Sequence, residues 1–171
     1  PNSPFKAYFE SYIDLIDVYN SNEENTYKKV ANKEDVRLEI IESINENSPY
    51  NRFLRAEIKL QSALIKIRLG HEVKAAFDII QSAKLLEENQ KMFPNFLPNY
   101  KSLGCLHIII GSVPEKFKWV LNILGLKGDV KQGLIELDKA TKDKVWGREA
   151  SYCLFFLKAF VLKFEEKDKT S

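Results

Sequence analysis

LGCLHIIIGSVPEKFKWVLNILGLKGDVKQGLIELDKA, residues 103–140, decides the fold. It reads as two short apolar helices and the opening of a third, with a glycine at each joint. Gly111 stops the first. Ser112 to Glu115 has the form of a capping box, with Pro114 inside the first turn. Phe117, Val120, Leu121 and Leu124 then recur at three- and four-residue steps, which places them on one helix face. Leu126-Lys127-Gly128 reads as the next stop. Asp129 to Gln132 is a second capping box, opening a helix with Leu134, Leu137 and Ala140 inward. Small residues such as Gly133 and Ala140 let two helices approach, and Leu137 fills the groove of a neighbour.

Upstream, the same periodicity predicts five helices. The first covers Pro4 to Tyr19, with Phe5, Tyr8, Phe9, Tyr12, Ile13, Ile16 and Tyr19 on an inward face. Its Glu10, Asp14 and Asp17 read as a solvated face rather than a cation site, because no further ligand converges on them. After a polar break at Asn20 to Thr26 and a single turn at Tyr27 to Ala31, Asn32 offers an N-cap with Asp35 three residues on. Val36, Ile40, Ile41 and Ile44 form the stripe of that second helix, with Glu39, Glu42 and Glu46 outside. Ser48-Pro49 caps a long third helix that runs to Leu69 and is apolar around most of its circumference, so it must be covered on most sides. Gly70 ends it. The fourth, Glu72 to Gln90, turns Val73, Ala76, Phe77, Ile80, Ala83 and Leu86 inward and Lys74, Asp78, Lys84 and Glu88 outward. The tight joint makes an antiparallel hairpin. Pro94 and Pro98 bracket a loop before the fifth helix, Asn99 to Ile110.

Downstream, Trp146-Gly147 marks the last joint. The eighth helix, Arg148 to Glu165, carries Tyr152, Leu154, Phe155, Phe156, Phe160, Val161, Leu162 and Phe164, and a charged tail follows. That helix is apolar on nearly every side. Either the first helix folds over it, or the chain continues with more hairpins, or a second copy covers it. Continuation is the expectation, since a repeat array ends on a polar cap.

Bulk composition narrows the function classes. Of the 171 residues, 44% are apolar and 29% charged, an ordinary globular balance. Net charge is +2, with 26 basic and 24 acidic residues interspersed. This argues against a nucleic-acid partner, which calls for positive charge on one face. No run of apolar residues is long enough to span a bilayer. Cys105 and Cys153 sit in apolar helical stretches and read as small buried hydrophobes, with a disulfide left open. The chain starts at Pro1 rather than Met, so it reads as part of a longer, processed or excised chain. Periplasmic and cytoplasmic locations both stay open.

Serial hairpins call for a repeat search. Phe117 to Ala140 has the large-and-small pattern of a tetratricopeptide repeat, with Gly128 at the turn. Leu60, Ala63, Leu64, Ile67, Gly70, Ala76, Ile80 and Ala83 make an earlier, less regular copy. The fifth helix lies between them, either inserted or as the first helix of its own repeat, since Tyr100, Leu103 and Gly104 fit that opening. One domain over 1–171 is therefore expected, with N-terminal helices at 1–47, a degenerate repeat at 48–93, an extra helix at 96–111, the best-preserved repeat at 112–142 and a terminal helix at 147–165.

The run Gly104…Gly111-Ser-Val-Pro-Glu…Trp119…Leu124-Gly-Leu-Lys-Gly-Asp129…Gly133…Leu137 resembles the inclusion-body clearance family of eukaryotic tetratricopeptide proteins. The likeness is specific over Pro114 to Gly133 and looser over residues 50–165. Leu126 stands where that family has an aromatic. The resemblance implies an all-α, right-handed superhelix and an adaptor-like role, with no catalytic residue to carry over.

No catalytic, cofactor or metal constellation is expected. His71 reads as a turn residue and His107 as a hydrogen-bonded core histidine. Cys105 and His107 point to different sides of one helix, which does not suit zinc. The glycines at 125–133 follow no strand and precede no Gly-Lys-Ser/Thr, so they are joint residues rather than a phosphate loop. Lys116, Lys118, Trp119, Lys127 and Trp146 are the candidate interaction surface, for an acidic peptide or a membrane surface. The bland reading, which is the preferred one, places Trp119 in the core beneath a solvated rim. The expected function is a non-enzymatic scaffold that binds a peptide or partner protein along a helical groove. The alternatives are a homo-oligomerisation module using the terminal helix, or a binder of an apolar small molecule or lipid between helices five, six and eight.

Overall fold

The protein is all-α. A computed structural model describes residues 3–21, 29–30, 32–113 and 115–168. The Asn20–Thr26 break and the Tyr27–Ala31 turn lie largely outside these residues, as does Pro114. The side chains of Lys116, Phe117, Val120 and of 160–168 also lie outside them. Among the described residues eight helices follow in order: α1 Pro4–Ser21, α2 Lys33–Glu42, α3 Pro49–Arg68, α4 Glu72–Met92, α5 Pro98–Gly111, α6 Glu115–Ile123, α7 Val130–Ala140 and α8 Gly147–Asp168. They divide into two compact units, one up to Met92 and one from Phe93 on.

Helix ends follow local chemistry. The Ser48 hydroxyl accepts from Tyr50 N at 3.3 Å with Pro49 in the first turn, and Gly70 takes φ 76° to close α3. Asp129 caps α7 by accepting from Gln132 N at 2.6 Å. Gln132 does not reach back. Its amide donates to Glu136 at 3.0 Å, so only half of the capping box forms. Two expected caps are absent. Asn32 has helical backbone angles (φ −79°, ψ −5°) and its side chain makes no cap bond. The Ser112 hydroxyl turns back to donate to Ile108 O at 2.7 Å, ending α5 rather than starting α6. The left-handed stop of α6 is Gly125, at φ 69°. Asp129→Ala should therefore cost about 1 kcal/mol in urea unfolding, whereas Asn32→Ala should stay within about 0.5 kcal/mol. Equal losses would remove the distinction.

In the first unit α3 is the central helix, packed by α1, α2 and α4. The α3–α4 hairpin is antiparallel. Asn89 Nδ2 donates to Pro49 O at one end and Ser82 Oγ to Ala56 O further along, both at 3.0 Å. α1 runs parallel to α3: Phe5 stacks edge-on to Tyr50 (5.3 Å), and Val18 packs with Ile65. α2 lies antiparallel to both. Alternation of first and second helices is thus the order of two successive hairpins.

Two faces differ from expectation. In α1 the buried residues are Ala7, Tyr8, Ser11, Asp14 and Val18, while Phe5, Phe9, Tyr12, Ile13, Ile16 and Tyr19 stand outside. The reason is Asp14. It is not solvated but pairs with Arg37 at 2.5 Å and Lys33 at 3.1 Å, and this pairing turns the opposite side of α1 to solvent. In α4, Asp78 is buried and Val73 and Phe77 are exposed, because Asp78 pairs with Lys66 of α3. Val36 of α2 is likewise exposed, with Arg37 in its place inside.

In the second unit α7 packs antiparallel along α5, not along α6. Gly104 and Gly133 face each other so closely that a Cβ on either would lie 2.6–2.7 Å from the other's carbonyl oxygen. Near the far end a Cβ on Gly128 would run into Gly111 N, and one on Gly111 would lie 2.8 Å from Val130 N. The fifth helix is thus the first member of this pair, and α6 belongs to the connection. α8 packs on both, with Tyr100, Ala140 and Ala150 in contact.

Candidate interaction surface

Among the described residues of the first unit, α1 carries an outward apolar stripe. At 100° per residue, Phe5, Phe9, Tyr12, Ile13, Ile16 and Tyr19 fall within about a third of the helix circumference. Ile13 is 57% exposed and Phe9 55%. The Tyr19 hydroxyl reaches Leu64 O of α3 at 3.5 Å, and Arg68 lies 5.7 Å over the Tyr19 ring. Exposed Leu64 and Ile67 continue the apolar surface onto α3. The first helix of each hairpin therefore contributes to one aromatic-rich surface. A contiguous patch of this kind is unusual on a solitary soluble domain.

Beneath it lies a charged core. Glu34 accepts from Lys59 (2.8 Å), Ser62 (2.5 Å) and Lys66 (3.0 Å), and Asp78 pairs with Lys66 and, at 3.7 Å, with Lys59. Burial pushes the Glu34 carboxyl up, but these hydrogen bonds and the Lys59 charge outweigh it and hold it below the usual carboxylate range. Burial likewise pushes Lys66 down, yet Asp78 and Glu34 hold it above its ordinary value. Two acids and two bases neutralise one another here, so the cluster holds α2, α3 and α4 together.

The sequence-derived candidates separate. Lys118 and Lys127 line one cleft of about 200 Å³, together with Ile110, Leu121, Asn122 and Leu126. Trp119 is 62% exposed beside it, which corrects its placement in the core. The Lys116 side chain lies outside the described residues. Trp146 is not surface: it is 6% exposed, with Lys101 Nζ 5.3 Å over its ring. Asp143 Oδ1 accepts from the backbone N–H of Val145 and of Trp146, both at 2.8 Å, and the turn this forms carries Trp146 inward.

His107 meets Glu136 at 2.6 Å in the α5–α7 contact, the hydrogen bond expected of it, though the residue is half-buried rather than core. Cys105 and Cys153 are half-buried rather than buried and are not joined in a disulfide. Among the described residues no three His, Cys, Asp or Glu gather to hold a metal ion, and no helix is long and apolar enough to cross a membrane. The α1 stripe was missed as a surface because large apolar residues at helical spacing read as core. The signal that exposes it is the carboxylate Asp14 on the other side.

The chain was compared with protein-family models, curated proteins and solved structures, and it matches none of them.

Proposed function

We propose that the chain is a non-enzymatic protein-interaction scaffold, tetratricopeptide-like in the order of its hairpins, that binds a peptide or partner segment bearing large apolar side chains. The observation that carries this reading is the apolar surface shared by α1 and α3. Six large side chains of one helix are left outside, while its buried face is Ala7, Tyr8, Ser11, Asp14 and Val18. Each is already about half covered, so burying the remainder is worth roughly 1 kcal/mol, and a partner has to cover several of them to bind. The internal neutralisation of Glu34, Lys59, Lys66 and Asp78 supports a structural use of these charges rather than a catalytic one. The resemblance to the inclusion-body clearance family supports an adaptor role.

Peptides selected from a random library on the immobilised whole protein should be rich in aromatic and aliphatic residues. Phe9→Ser or Ile16→Glu should abolish their binding while thermal stability changes by no more than about 0.5 kcal/mol, since both positions are outside the core. Binding that survives both substitutions would overturn the reading. Self-association through α8 is the second reading, favoured by exposed Tyr152, Phe155 and Phe156. A monomer at high concentration in sedimentation would remove it.

A further inference from the structure

The cleft beside α6 lies in the other unit and is independent of the α1–α3 surface. Its floor is apolar: Ile110 and Leu126 are each less than a tenth exposed, and Leu121 is half-buried. Its polar lining is Lys118, Lys127 and Asn122, so the charge it carries is basic. At about 200 Å³ it is smaller than an ordinary small-molecule pocket and has room for one or two side chains. Lys118 is already engaged by a carboxylate, that of Glu115 one turn earlier on the same helix. Lys127 makes no ion pair among the described residues. One rim ammonium is thus half-neutralised from within and the other awaits an anion, above a floor that only an apolar group can cover without cost. Exposed Trp119 and Ile123 extend apolar contact beyond the rim.

We propose that this cleft binds an acidic side chain of a partner peptide flanked by large apolar residues. The carboxylate lies between Lys118 and Lys127, and an apolar neighbour covers Ile110 and Leu126. Charge complementarity selects the acid. The recessed floor favours a peptide over an anionic bilayer, whose headgroups reach the rim lysines but send nothing into the cleft. Glu115 then acts as an internal competitor for Lys118.

The test uses the whole protein and a labelled, end-blocked peptide with a central Leu-Asp-Leu, followed by fluorescence anisotropy. A matched Leu-Asn-Leu peptide should bind on the order of fivefold more weakly, the span of a partly exposed charge pair. Lys127→Glu should weaken the acidic peptide by about tenfold, since attraction becomes repulsion. Glu115→Gln should tighten it by roughly threefold by releasing Lys118. Equal affinity for the two peptides, indifference to Lys127→Glu, or no binding at about 1 mM (a free energy near −4 kcal/mol) each overturns the proposal. Binding to vesicles containing phosphatidylserine with no binding of the acidic peptide also overturns it, in favour of a membrane contact. Phe9→Ser should leave this binding unchanged, which separates its failure from failure of the α1–α3 reading.

Discussion

Gly133→Ala is expected to destabilise the protein by about 2–3 kcal/mol, at a helix position where alanine ordinarily stabilises by about 1 kcal/mol. The sign is inverted because of what the methyl group meets. A Cβ at 133 would stand 2.6 Å from Gly104 O, 2.6 Å from Ile108 Cγ1 and 2.9 Å from Ile108 N. Two of these three atoms are backbone within a helix and cannot swing aside. α5 and α7 would have to separate, loosening the His107–Glu136 contact and the Leu137 packing with them. Gly104→Ala meets Gly133 O at 2.7 Å and Leu137 N at 2.9 Å, so its loss should be similar. The double variant should lose less than the sum, because the first methyl already forces the helices apart. Urea unfolding, read by buried Trp146 in the same unit, measures this. A stabilised Gly133→Ala would show that the two helices do not touch at this point.

Glu34→Ala is expected to cost about 2–4 kcal/mol, somewhat below a fully buried pair because the Glu34 side chain keeps 15% exposure. The loss arises less from the missing attraction than from Lys59 and Lys66, which would share Asp78 alone. Lys66→Met in the same chain should recover part of it by removing one uncompensated charge. The pH dependence has a definite sign. Glu34 titrates below its ordinary 4.5 in the folded protein, so its contribution is complete above that pH and is lost as the pH falls through the lower folded value. Lys66 titrates above its ordinary 10.5, so its contribution is complete below that pH and is lost as the pH rises through the higher folded value. Chemical denaturation across pH should show a stable plateau between these limits. Glu34→Gln should flatten the acid limb and also shrink the alkaline one, since Lys66 would then be held up by Asp78 alone.

Helix boundaries were legible where one residue does one job. Pro49 accepts the missing donor of a first turn, Gly70 accepts a left-handed backbone, and Asp129 presents an acceptor to Gln132. Faces were less legible, because a stripe of apolar residues looks the same whether it meets the core or a partner. In α1 the decision rests on Asp14, whose partners Lys33 and Arg37 are 19 and 23 residues away. In α4 it rests on Asp78, whose lysines sit on another helix. A charge reads as exposed until its counter-charge is placed. The pairing of α5 with α7 was hidden for a similar reason: a repeat pattern favours the nearest helix, and only the mutual close approach of Gly104 and Gly133 selects the more distant one. For the interaction surface, Lys118 and Lys127 were legible as basic residues near Trp119. Trp146 was misplaced because the turn at Asp143 that buries it leaves little periodic trace.

The Gly104–Gly133 contact also bears on the entropy of closing the chain. α3 and α4 meet across a turn of a few residues, whereas α5 and α7 meet only after the whole α6 excursion has been drawn back. The extra cost of that longer closure is about 1.5 kcal/mol, and each further doubling adds only about 0.6 kcal/mol. Once the glycines have closed the pair, added length in the excursion is inexpensive, and so is sequence away from buried Leu126 and tightly packed Gly128. The stretch that carries Lys118, Trp119 and Lys127 is therefore where this fold can exchange recognition sequence while the helices holding it stay as they are.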